Sequence, residues 1–220
     1  ITQGAIYVIR PMMTYRALEL NATAATIGFI AAIYALFPVL LALSFGRMVG
    51  KVGEGRFVIF GTLFIGVSAA ILLFADSLAI LAIGAALSGL AHLACMVGGQ
   101  TMVALKSPTD KYEEHFGRYT FSASLGHLLG PLVAALVAGS DGTLPKSTSN
   151  AFILGFVLCV IALVPVINWR KEKPSVEAKS DEGTYAATKL NDNFDFPVVR
   201  STLFQWSLVI VNMLPHIKII

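Results

Sequence analysis

The chain has 220 residues, 56% of them hydrophobic and 13% charged, with a mean hydropathy of +0.75 and a formal charge of +3. Soluble domains carry about 25% charged residues, and one this apolar could not hide its surface and stay dispersed. That excludes an ordinary soluble enzyme or binding module, and the small net charge gives no ground for a nucleic-acid partner. The solvent that fits is the lipid bilayer.

A helical span needs about 20 apolar residues. In chain order such runs occur at 1–18, 24–45, 57–75, 77–105, 119–139 and 151–168, and a seventh starts near 201. The first and seventh are the weakest, because each is cut by a terminus and holds a cation, Arg10 or Lys218. Polar breaks fall at 19–21, 46–56, 76–77, 107–117 and 140–150. The runs are long and lack the period-two alternation of barrel strands, so an all-α polytopic bundle is expected. Cys95 and Cys159 lie inside apolar runs and read as small core residues, neither a disulfide nor a metal pair. No cleavable signal peptide is evident, and with Ile1 in place of Met a preceding segment is expected. Residues 170–200 mix charges with Ser, Thr, Asn and Pro and contain no apolar run, so a solvated linker is expected there.

Orientation follows from the cations. One side of the membrane collects Arg47, Lys51, Arg56, Lys106, Lys111, Arg118, Arg170, Lys171, Lys173, Lys179, Lys189 and Arg200, whereas the other has only Arg16 and Lys146. The positive-inside rule places the first group in the cytoplasm, so the chain enters its first helix from there. This predicts three regions: a six-helix bundle over 1–169, a cytoplasmic loop over 170–200, and the truncated start of a seventh helix over 201–220.

Three local patterns carry a resemblance that covers essentially the whole chain. The run Gly46-Arg-Met-Val-Gly50-Lys-Val-Gly53-Glu-Gly-Arg56 lies between spans two and three. Its glycines permit a tight turn, and its cations suit an anionic leaflet. It is not a phosphate-binding loop, since three residues rather than four separate Gly46 from Gly50-Lys51, and Val52 stands where Ser or Thr would bind magnesium. Span five holds Gly126-His-Leu-Leu-Gly130-Pro131-Leu-Val-Ala134-Ala135. There Ser122, Gly126, Gly130, Ala134 and Ala138 recur every four residues, a small-residue stripe for close helix packing, and Pro131 removes a backbone hydrogen bond. Span four holds Ser88-Gly89-Leu90-Ala91. With six helices, a charged linker and a new span, the chain resembles the N-terminal half of a major facilitator superfamily transporter, and the span-five run resembles the antiporter motif of its drug:proton exporters. Gly50 stands where the family's loop has Asp, Ala134 and Ala135 replace two glycines, and Ala85 replaces the Arg of the span-four element.

The resemblance implies two inverted three-helix repeats and secondary transport of a small organic solute, with proton-coupled export by alternating access. It also implies a missing C-terminal half and a place in the plasma membrane, a bacterial inner membrane. No cofactor or metal is expected. Ionisable groups inside a bilayer are costly and mark function. Arg10 lies eight residues before Leu18, hence ~12 Å below that boundary and near the middle of a ~30 Å core. His92 and His127 lie near the midpoints of spans four and five, and the six spans contain no Asp or Glu to pair with Arg10. Arg10, His92 and His127 are therefore the candidate solute-binding residues, against a structural ion pair for Arg10 and packing roles for the histidines. Gly46, Gly50, Gly53, Arg56, Gly126, Gly130 and Pro131 are the candidate conformational residues. Two other functions stay open: a proton-coupled importer of an organic anion, and a non-transporting assembly subunit or membrane enzyme. The last would need a catalytic cluster such as H-E-x-x-H, which the spans lack.

Overall fold

The computed structural model describes residues 1–139 and 147–169. Six α-helices follow one another: α1 (Thr2–Glu19), α2 (Ala24–Val52), α3 (Glu54–Leu73), α4 (Leu78–Lys106), α5 (Tyr112–Ala138) and α6 (Thr148–Trp169), with a 3-10 turn at Thr109–Lys111. The expected linker and seventh span lie outside the described residues, as do positions 140–146 of the expected fifth break.

Local chemistry explains the boundaries. The Thr23 side chain accepts from the Thr26 amide at 3.3 Å and Ser77 from the Ile80 amide at 3.4 Å, so α2 and α4 each begin on a hydroxyl cap. Gly53 alone separates α2 from α3 and takes φ +93°, which a side chain would resist. This corrects the expected loop over 46–56: Gly46 and Gly50 lie within α2, exposed, and only Gly53 makes the turn. The break over 107–117 is also shorter than expected, because α5 starts at Tyr112.

Five of the helices, α2 to α6, are long and apolar enough to cross a membrane. The remaining one, α1, is the weak first span; it carries Arg10 and Arg16, yet Ala5, Ile6, Val8, Ile9, Met12, Met13 and Ala17 are all buried. The reason is its place in the bundle. It lies against α5 and α6, while α4 lies against α2 and α3, and α3 meets α6. The first helix of each three-helix unit thus sits among the second and third helices of the other, the reciprocal pattern that two units related by an approximate two-fold would make.

The ends are pinned by ions. Arg16 bonds Glu19 at 2.9 Å and donates to the Leu73 carbonyl at 2.9 Å. Glu19 in turn accepts from the Thr148 hydroxyl at 2.9 Å, so the ends of α1, α3 and α6 meet in one network. At the opposite end Lys106 of α4 bonds Glu54 of α3 at 3.0 Å.

Candidate solute site

Arg10 is seated on aromatic faces. Its guanidinium carbon lies 4.9 Å from the Tyr34 ring centre and 6.0 Å from that of Tyr7. Among the described residues it forms no ion pair. Contact with a ring face is worth about 0.5–2 kcal/mol. It leaves N–H donors of a planar fork for another partner, and that fork matches carboxylate or phosphate.

Four helices build the cluster. Tyr34 of α2 bonds Nδ1 of His92 on α4 through its hydroxyl at 2.8 Å, and both side chains are buried. Tyr7 of α1 lies across His127 of α5, with ring centres 3.9 Å apart, and meets His92 edge-on at 6.2 Å. Nε2 of His127 is buried without a hydrogen-bond partner. Such an atom is costly to leave unmatched, so it needs a donor or acceptor from water or a ligand. The structure therefore brings the three sequence-derived residues Arg10, His92 and His127 around two tyrosines.

Glycines set this closeness. A Cβ on Gly130 would lie 2.5 Å from the Tyr7 Cβ, and one on Gly89 would overlap the Tyr34 carbonyl oxygen. Gly126 faces the Gln3–Gly4 backbone of α1. The stripe on α5 thus packs on α1 at Gly126 and Gly130, and its Ala134 and Ala138 are buried, with one correction: Ser122 is exposed and donates to the Arg118 carbonyl of its own helix. Pro131, inside α5, follows the contact glycine. The residues Gly46, Gly50, Gly53 and Arg56 stand apart from the cluster, at the α2–α3 corner.

Tyr7, Tyr34 and Gly89 complete the site and were not among the sequence candidates. Tyr7 was within reach, since it precedes Arg10 by three residues and shares its helix face. Tyr34, on another helix, carried no such signal.

Residues 1–214 match the Major Facilitator Superfamily. The quinolone resistance protein NorA of Staphylococcus aureus is 21% identical over 159 residues, 72% of this chain and 41% of that protein. An uncharacterized MFS-type transporter of Methanocaldococcus jannaschii is 24% identical over 204 residues, 92% of this chain and 50% of that protein. The chain thus spans about half the length of the relatives it matches. A helical bundle with five apolar spans and this match over nearly its whole length make it a multi-pass membrane protein that belongs to the Major Facilitator Superfamily of transporters.

Proposed function

We propose that the chain forms one half of a secondary active transporter that exports small organic solutes in exchange for protons, with an acidic group of the solute held at Arg10. The observation that carries this reading is the Arg10 guanidinium on Tyr34 and Tyr7, near mid-span and with no carboxylate bonded to it among the described residues. A mid-membrane charge costs ~2.5–3.5 kcal/mol on insertion scales, and an anionic solute offsets that cost while gaining a forked contact. Export is supported by the Gly126–Ala135 run and by the likeness to a quinolone resistance protein. His92 and His127, which lie against Tyr7 beside Arg10, are further polar contacts for the solute. The two halves rock about the midplane, and the α2–α3 and α4–α5 corners, rich in Lys and Arg, face the cytoplasm of a plasma membrane.

The test uses the full-length protein in proteoliposomes. Arg10→Gln should abolish uptake of an aromatic carboxylic acid such as an acidic quinolone into these proteoliposomes while leaving protein yield near normal, and Arg10→Lys should retain part of it. Loss of folded protein in Arg10→Gln would make Arg10 a structural residue instead. A second reading, import of an organic anion together with a proton, is favoured by the same Arg10 and by Gly50 in place of the loop acid. The direction of proton movement separates the two: solute leaving a vesicle acidifies its lumen by exchange and alkalinises it by cotransport.

A further inference from the structure

About two turns along from Arg10, the contact between α1, α4 and α5 holds a second polar group. The Gln3 side chain spends its Nε2 on the Met96 sulfur at 2.9 Å, and the Tyr119 hydroxyl approaches the same sulfur at 3.8 Å. Oε1 of Gln3 is left buried with no partner. Gln100 lies one helical turn beyond Met96, is only 5% exposed, and its Oε1 is likewise buried and unpartnered. Ser88, His92, Met96 and Gln100 recur every four residues, so they run down one face of α4. Two buried carbonyl oxygens, one on Gln3 beside the Met96 sulfur and one on Gln100 a turn further along α4, have no donor, and buried acceptors of this kind are expensive unless something donates to them.

We propose that Gln3 and Gln100 form a second subsite for a hydrogen-bond-donating, preferably ammonium, group of the transported solute. This rests on the reading of Arg10 as the acid site and narrows it to amphoteric solutes. Gln3 precedes Arg10 by seven residues and Gln100 follows His92 by eight, which at 1.5 Å per residue sets the two poles roughly 10–12 Å apart. The basic side chains at the nearby helix ends do not compete for the subsite, because Lys106 bonds Glu54 and Arg118 bonds Glu114. A protonated amine suits the subsite because neutral carbonyl oxygens, a thioether and an aromatic ring all accept positive charge.

The experiment measures binding to purified full-length protein by calorimetry, using three probes: 8-aminooctanoate, octanoate and 4-aminobutanoate. The first spans about 10 Å when extended, matching the axial spacing, and the others lack either the amine or the length. We expect 8-aminooctanoate to bind about tenfold tighter than either, the size of one good charge-assisted hydrogen bond. Gln100→Leu and Gln3→Leu should erase that preference and leave octanoate unchanged. Gln100→Glu, nearly isosteric and so the safeguard against misfolding, should tighten 8-aminooctanoate and weaken octanoate. Arg10→Gln should weaken both acids alike. Equal binding of 8-aminooctanoate and octanoate by the wild type, a preference that survives in both leucine variants, or one that Gln100→Glu fails to increase overturns the subsite and leaves its oxygens to water. Binding of octanoate that ignores Arg10→Gln instead removes the acid site and the inference with it.

Discussion

Helices α2 and α4 have the same length, 29 residues, and both are strongly apolar, yet one is interior and the other is not. In α4, 61% of the most apolar stretch is buried, against 17% in α2. The difference lies in size. Most of the buried residues of α4 are small, among them Gly84, Ala85, Ser88, Gly89, Ala91, Ala94 and Cys95, alongside Leu81, His92, Leu93, Met96 and Gln100, whereas α2 exposes Phe29, Leu36, Phe37, Val39, Leu40 and Leu43. In lipid there is no gain from hiding a leucine, since acyl chains are as apolar as the protein; close approach of backbones and polar contacts decide which helix goes inside. What α2 does bury is narrow: Ile30, Tyr34 and Pro38, at four-residue intervals, with Val49 further along.

The comparison can be broken most severely at Gly89. Gly89→Leu would force α2 off α4 at the Tyr34 carbonyl, and overpacking of this kind costs ~1–3 kcal/mol or more. Thermal unfolding in detergent should show a clearly lower midpoint and loss of solute binding together. An unchanged midpoint would mean that α2 and α4 do not meet there. Next comes Gly130→Leu on α5, which meets Tyr7 and should impair transport far more than Leu129→Ala at a half-exposed position. Equal tolerance at both would place the small-residue stripe against lipid. Tyr34→Phe keeps the ring beneath Arg10 and deletes the hydroxyl that bonds His92, so a loss of about 1 kcal/mol is expected. That loss should appear as reduced stability with the acid affinity largely retained. Leu40→Ala is the control on the outer helix: with Leu40 65% exposed, it should change stability by less than ~0.5 kcal/mol.

The spans were legible because long apolar runs leave few alternatives, and Arg10, His92 and His127 were legible because ionisable groups there are rare. The corner between α2 and α3 was misplaced because Gly46 and Gly50 read as turn residues. Glycine is tolerated within membrane helices, however, where each amide already has its intrahelical partner. Tyr7 and Tyr34 were hidden for a different reason: an aromatic inside an apolar run looks like packing until the helix opposite is known. Gly89 lay in the weakest of the three motif matches, and its part in seating Tyr34 depends on a contact between helices that no local pattern encodes.

The position of α1 has a consequence for synthesis. This helix is too polar to rank with the other five as a span, and its extensive contacts are with α5 and α6, which follow much later in the chain. Its anchors, the Gly130 contact and the Glu19–Thr148 bond, do not exist until roughly 130 further residues have left the ribosome, about 6–25 s at ~5–20 residues per second. Until then the face of α1 that meets α5 and α6 lacks those partners. The packing of α1, the first helix of the bundle in chain order, is therefore completed only after α6 arrives.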